Sequence, residues 1–377
     1  MQHPNVFTGD NISGKKALII VFNEKTSNAA GSENLEELKS LAATVNIHVV
    51  HSIFIRHPDP IHPATYIGKG KINEIRQIIN MYKCELIIFE KELTPVQQRN
   101  LEELLNLVVI DRTVLILLIF GKHAHTLEGK LQVELAQTTY LLPRLAGYSG
   151  QLSRLGGTIG TRGPGEQKLE VYRRRARERI RFLNQKIKEI EKHREIIRAT
   201  RRRKNLPVAV LLGYTNVGKS TLLNALIHKQ DATVDNRLFS TLDPLTRLVY
   251  LGEGRFCLMS DTVGLLSSLP HHLIAAFRAT LEEIRFADAL ICLIDVVGLN
   301  LERQITTINN VLEMMEIQGK PRINVFNKID LIDETELNIL KRTYPDGIFI
   351  SARTGSGFND LRTKIGEMIG GYVYFKS

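Results

Sequence analysis

No apolar run in this 377-residue chain approaches the length of a bilayer span. Its N-terminus, MQHPNVFTGDN, lacks the apolar core of a secretory signal. The chain is therefore expected to stay in the cytosol, without membrane insertion. Cysteine is scarce: Cys84, Cys257 and Cys292 lie far apart, each beside apolar residues. That spacing offers neither a disulfide framework nor a zinc pattern, so buried reduced thiols are expected. Internal repeats and low-complexity tracts are also absent. Hydrophobic content of 43% and charged content of 24% are those of ordinary globular domains, and the length suits two or three of them.

What is present in excess is positive charge, and it is concentrated. The formal net charge is +10, yet residues 151–205 hold 18 Lys/Arg against 6 Glu, a local excess of +12. The remainder, with 32 basic and 34 acidic residues, is close to neutral. One segment thus carries the basic character of the protein, which favours a polyanionic partner, nucleic acid first.

Along the chain, 16–22, 47–55, 86–89 and 107–110 read as strands, with helical patterns at 33–44, 70–82 and 94–105 between them. The run 112–120, apolar throughout, reads as a buried helix. Strands alternating with helices predict a small parallel α/β domain over residues 1–126. Within it, Tyr66 to Lys71 (YIGKGK) is a turn with a solvated charged face; a phosphate contact is the weaker reading. A helix over 129–142, ended by Pro143, then a glycine-rich loop and a basic helix over 167–203, predict an antiparallel helical hairpin at 127–205. Ile180, Leu183, Ile187 and Ile190 step by 3, 4 and 3, the spacing of a coiled-coil seam. Arg173, Arg174, Arg175, Arg177, Arg179 and Arg181 are too dense to be matched by the few glutamates nearby, so a nucleic-acid backbone is expected to meet them.

The third domain, 206–377, opens on a strand of PVAVLL followed by Gly213, Tyr214, Thr215, Asn216, Val217, Gly218, Lys219, Ser220 and Thr221. This is a P-loop pattern between a strand and a helix, where bare backbone N–H groups cradle phosphates. Lys219 would reach the β- and γ-phosphates, and the Ser220 hydroxyl would ligate Mg²⁺. About twenty residues later come Phe239, Ser240, Thr241, Leu242 and Asp243. Thr241, with Thr246 as the alternative, would give its hydroxyl to the metal and its N–H to the γ-phosphate. A strand over 256–260 ends in Asp261, Thr262, Val263 and Gly264; Asp261 would hold Mg²⁺ through water and the Gly264 backbone would meet the γ-phosphate.

A further strand leads into Asn327, Lys328, Ile329 and Asp330. The Asp330 carboxylate can accept from both the ring N–H and the exocyclic amine of guanine, which adenine does not offer, so GTP is chosen over ATP. Lys328 would cover the base and Asn327 would tie the loops together. Ser351, Ala352 and Arg353 follow a last strand, with the Ala352 N–H placed for the guanine carbonyl oxygen. Lys219, Thr241 and Gly264 are the expected catalytic set, and Ser220 and Thr241 the metal ligands. No general base is assigned.

Five such elements in order, with YIGKGK, LTPVQQRNLEE, EGKLQVELAQ, GTRGPGE and LPHHLIAAFRATLEE, resemble the HflX family, ribosome-associated GTPases of the Obg–HflX group. The resemblance covers most of residues 45–370. It implies a small α/β domain, a helical hairpin and a P-loop GTPase domain. It also implies hydrolysis of GTP to GDP and association of a cytoplasmic monomer with the large ribosomal subunit, in splitting, rescue or biogenesis. The chain departs from the family at Gln167-Lys168 and at Leu265 to Ser268, and it stops soon after a helix at 358–369 where many members carry a further domain. With Leu265 in the place of a water-orienting glutamine, slow intrinsic hydrolysis is expected. Two other readings compete: an RNA-binding switch with little turnover, and a membrane-surface GTPase, the latter disfavoured by a helix with only Tyr172 and Phe182 as aromatics.

Overall fold

A computed structural model describes residues 12–23, 28–56, 60–144, 164–203, 206–227, 245–265, 283–297 and 300–369 of the protein. These form two compact units, one of the described residues of Met1–Lys122 and Lys130–Lys186, the other of those of His123–Gly129, Ile187–Leu269 and Ala276–Ser377.

The first unit is built on four parallel strands, β1 (Lys16–Asn23), β2 (His48–Arg56), β3 (Leu86–Phe89) and β4 (Val108–Asp111), in the order β2-β1-β3-β4. Between and after them run α1 (Asn28–Thr44), α2 (Lys69–Tyr82), α3 (Pro95–Leu105) and α4 (Arg112–His123). Alternation along β1 serves two layers: Leu18, Ile20 and Phe22 pack with α2 and α3, while Ala17, Ile19 and Val21 are buried on the opposite face. The start of α3 is fixed by a capping box, in which Thr94 accepts from the Gln97 N–H and the Gln97 side chain accepts from the Thr94 N–H. In the Tyr66–Lys71 turn, Lys71 pairs with Glu74 at 2.7 Å and Gly68 and Gly70 face open space. That arrangement agrees with a solvated turn.

Helix α5 (Leu127–Arg144) runs past Pro143, which was expected to end it. Proline deletes only one hydrogen bond to the preceding turn, and Arg144 has reason to remain helical. Its guanidinium is buried, donating from Nε to Gln98 at 3.0 Å, from Nη1 to the Tyr140 carbonyl at 3.0 Å and from Nη2 to the Leu93 carbonyl at 2.7 Å. Asp111 lies 3.7 Å from the same Nη2, and the Tyr140 hydroxyl donates to this carboxylate at 2.5 Å. Burial and that neighbouring carboxylate push the Tyr140 phenol far above its ordinary pKa. Helix α6 (Pro164–Arg203) buries Leu183 and Ile187 and half-buries Ile180 and Ile190, the expected seam. Arg174, Arg175, Arg177 and Arg181 stay exposed, while Arg179 makes a two-pronged contact to Glu134 of α5 at 2.6 and 2.8 Å.

The second unit carries a six-stranded sheet in the order β10-β9-β8-β5-β7-β6. Its strands are β5 (Val208–Gly213), β6 (Leu245–Gly252), β7 (Arg255–Asp261), β8 (Ala289–Asp295), β9 (Arg322–Asn327) and β10 (Ile348–Ile350). All pairs are parallel except β6 with β7. The sequence pattern marks neither β6 nor β8 as a strand. Among the described residues the unit's helices include α7 (Lys219–Leu226), α8 (Leu301–Met314), α9 (Glu334–Thr343) and α10 (Phe358–Met368). Ala209 and Leu211 of β5 pack on the side of α7 and α10, Val210 and Leu212 on the side of α8. The sheet is therefore covered on both faces. Because β7 and β8 flank β5, the connections diverge there, and the carboxyl ends of β5 and β8 form the crevice where open α/β sheets take ligands. All three cysteines are buried, and burial pushes the Cys257 and Cys292 thiols up to about 12.

Removing a buried guanidinium leaves a charged partner uncompensated. Arg144→Leu is expected to cost about 3–5 kcal/mol and Tyr140→Phe about 1–3 kcal/mol, read by denaturant unfolding. Equal stability of Arg144→Leu and the parent would show that Asp111 does not depend on this partner.

Candidate nucleotide-binding site

The loop leaving β5 turns into α7 through Gly218, whose φ is +98°. A Cβ at that position would fall 2.5 Å from Asn327 Nδ2, so both the turn and its close neighbour call for glycine. Lys219 follows, 6% exposed, and its ammonium donates to the carbonyls of Gly213 at 3.0 Å and Tyr214 at 2.7 Å. Burial lowers its pKa to about 8, with the Asp261 charge opposing the shift. Thr215 and Asn216 lie at the loop's outer side, half-buried and exposed, and Val217 is fully buried. The Tyr214 hydroxyl is 2.9 Å from Thr307 Oγ1 of α8.

At the end of β7, Asp261 is fully buried and accepts from the Ser220 hydroxyl at 2.6 Å. Thr262 donates to the Leu211 carbonyl at 2.6 Å, and Val263 is buried. Gly264 lies so close to the phosphate loop that an added Cβ would be 2.6–2.8 Å from Thr215 atoms. Leu265 continues this contact through its backbone: its N–H donates to the Gly213 carbonyl at 2.9 Å and its carbonyl accepts from Thr215 at 3.1 Å. Its side chain is buried in the core on the α8 side. A hydroxyl and a carboxylate meeting beside Lys219 are hard oxygen donors, the kind that suit Mg²⁺, which keeps several waters and takes few protein ligands. Ser220 and Asp261 thus fit a magnesium ion.

The third loop follows β9. Asn327, 1% exposed, donates from Nδ2 to the Val217 carbonyl at 2.7 Å and accepts at Oδ1 from the Ala352 N–H at 2.9 Å. This one amide joins the phosphate loop, the base loop and the loop after β10. The Ala352 N–H, expected to await a guanine carbonyl, is thereby engaged and would have to be shared. Lys328 is in the left-handed region with φ of +72°, and its ammonium pairs with Asp295 at the end of β8. Asp330 is exposed, Ser351 fully buried and Arg353 exposed. The Ser351 hydroxyl accepts from the Thr354 N–H at 3.1 Å.

Phe239, Ser240, Thr241, Leu242 and Asp243 lie outside the described residues. Thr246, the alternative to Thr241, is held in β6 with its hydroxyl 3.1 Å from Ser260 Oγ, engaged in strand pairing. Asp295 was missed by sequence reading. Its signal is the run ALICLI closed by an aspartate, the same pattern that marked Asp261.

Three family profiles match successive stretches of the chain. Their descriptions are "GTP-binding GTPase N-terminal" for 32–121, "GTP-binding GTPase Middle Region" for 123–201 and "50S ribosome-binding GTPase" for 208–328. GTPase HflX of Caldanaerobacter subterraneus subsp. tengcongensis is 47% identical over 335 residues, 89% of this chain and 77% of that protein. GTPase HflX of Escherichia coli (strain K12) is 39% identical over 343 residues, 90% of this chain and 80% of that one. A solved structure, that of SsGBP in complex with GDP, is similar at a TM-score of 0.51 and 26% identity, covering 94% of this chain and 98% of the other. With a phosphate loop, an aspartate-ended strand and an Asn-Lys-x-Asp loop gathered at one sheet edge, and with relatives this similar over most of its length, the chain belongs to the HflX family of GTPases.

Proposed function

We propose that this GTPase binds GTP and GDP with Mg²⁺ between the loops after β5, β7, β9 and β10. We propose further that it uses the nucleotide state to control docking of its basic hairpin on RNA of the large ribosomal subunit, in splitting, rescue or biogenesis. The observation that carries the nucleotide reading is Asn327, which joins three loops distant in sequence through two hydrogen bonds. In this reading the N–H groups from Tyr214 to Thr221 line the phosphates and Lys219 turns its ammonium from loop carbonyls to the β- and γ-phosphates. Ser220 and Thr241 would hold Mg²⁺, with Asp261 in support through the Ser220 hydroxyl. The ion supplies charge stabilisation at the transferring phosphate. Gly264 offers its N–H to the γ-phosphate. Asp330 reads guanine, Lys328 lays its stem along the base, and Ser351, Ala352 and Arg353 close the pocket. The segment from Phe239 to Asp243 completes the γ-phosphate side.

The buried Leu265 side chain supplies no polar group to orient water, which supports slow turnover of the free protein and acceleration by a ribosomal partner. The hairpin reading draws on the +12 excess over 151–205 and the exposed arginines of α6, together with the ribosome-binding description of the profile over 208–328. We place the domain boundaries near 126 and 205, close to the limits of the three matched stretches, and the working form as a cytoplasmic monomer.

Replacing Asp330 by Asn leaves one acceptor where guanine presents two donors and sets a donor against the exocyclic amine. Asp330→Asn is expected to weaken GDP and GTP binding about 100-fold while improving binding of the xanthosine nucleotides, measured by calorimetry. Unchanged guanine affinity would remove Asp330 from the site.

Polyphosphate favours the charged form of Lys219, whose pKa in the free protein is lowered to about 8. Below that pH the ammonium is already present. Above it, binding must take up a proton, so affinity should fall by up to about tenfold per pH unit as pH rises from 8 towards 9.5. Titrations with a fluorescent GDP across that range, with proton uptake measured by calorimetry in two buffers, check the sign.

Reversing Arg173, Arg174, Arg175 and Arg177 to Glu should abolish co-sedimentation with the large subunit in the presence of a non-hydrolysable GTP analogue. Intrinsic GTPase activity should be retained and its stimulation by the subunit lost. The parent's binding should weaken steeply with salt. Subunit binding by the reversed variant at parental strength would overturn the hairpin reading.

A further inference from the structure

Asp295 stands at the carboxyl end of β8, paired in register with Asn327 on β9. Its position is held more firmly than a strand end requires. The side chain of Gln304 on α8, 1% exposed, accepts from the Asp295 N–H at 2.9 Å and donates to the Asp295 carbonyl at 3.0 Å. The amide of one side chain thus occupies both polar groups of that residue, as a neighbouring strand would. Asp295 Oδ1 accepts from the Val297 N–H at 3.0 Å, and the Val296 N–H reaches back to the Asn327 carbonyl at 3.2 Å. What remains is Oδ2, and it receives the Lys328 ammonium. Lys328 in turn adopts a left-handed backbone, uncommon for a residue with a side chain, at the position that begins the turn into Asp330.

We infer that Asp295, locked by Gln304, is a positioning residue that holds Lys328 extended before nucleotide arrives, and so sets how long a guanine nucleotide stays bound. This rests on the reading of Asn327 to Asp330 as the base-holding loop. A free lysine side chain has four rotatable bonds to order on binding; one tethered at its ammonium has already lost that freedom, and its methylene stem stands as a ready wall for the base. Asp295 touches no nucleotide in this scheme. The ion pair is partly shielded, with the lysine 30% and the aspartate 15% exposed, so its effect should be moderate and should survive ordinary salt. Because the tether acts on base binding and not on the γ-phosphate, GDP and GTP should be affected alike.

The test uses the full-length protein and a fluorescent GDP whose release is followed by stopped flow, with GTP turnover at saturation measured alongside. Asp295→Asn, which keeps the shape and the Val297 contact, should speed release about five- to tenfold and raise KM equally, with kcat unchanged. Asp295→Glu, which keeps the charge within reach of Lys328, should recover most of the loss. In a Lys328→Met background, where the stem remains and the ammonium is gone, Asp295→Asn should add nothing further. Tighter nucleotide binding by Asp295→Asn would show that the carboxylate withholds Lys328 from the ligand, and additive effects of the two substitutions would show that Asp295 acts by another route. Either overturns the inference, as would unchanged release. If Asp295→Asn does not fold, Asp295→Glu against the parent, with and without Lys328→Met, gives the same discrimination. Asp330→Asn, run in parallel, separates the two levels: if it too leaves guanine binding intact, the base loop itself has been misread.

Discussion

One buried amide holds the nucleotide site together. The Asn327 side chain bonds at one end to the carbonyl of Val217 and at the other to the N–H of Ala352, so the loops after β5, β9 and β10 share one fixed point. Losing that side chain would leave two backbone groups without this partner, a penalty of about 1–3 kcal/mol for each. The close approach also explains the glycine before Lys219: the amide nitrogen stands where a side chain at 218 would have to begin. In the proposed site the phosphate side and the base side therefore share a single interaction.

The rest of the second unit serves this junction. Helices on both faces hold the sheet, and the direction of its connections reverses at β5, the point where open sheets leave a crevice at the strand ends. Into that crevice come Gly213, Asp261, Asp295 and Asn327, each the last residue of its strand. The proposed site thus draws on strand termini, whose positions the core fixes, as well as on loops.

Much of this could be read from residues in a row. Parallel strands covered on both faces appear as unbroken apolar runs, and LIIF and VVI in the first unit were visible for that reason. The site motifs stood out because glycine, lysine and aspartate follow such runs abruptly. Other features depended on partners that no spacing reveals. Strand β6 lies at a sheet edge with Leu248 and Tyr250 exposed, so its pattern does not separate cleanly into inner and outer residues. Proline at 143 looked like a terminus, because the bonds that keep Arg144 helical come from Leu93, Gln98 and Tyr140, of which the first two are far away in sequence. The Ala352 N–H also meets the Asn327 amide oxygen, a partner that no spacing shows. A backbone donor carries no mark in the sequence of what it will meet.

The backbone bonds that join Leu265 to Gly213 and Thr215 have a mechanical consequence. They extend the sheet by one rung beyond Asp261, so the tetrad ending in Gly264 is stitched to the phosphate loop. Any movement of Gly264 away from the phosphate loop would have to break these two backbone bonds.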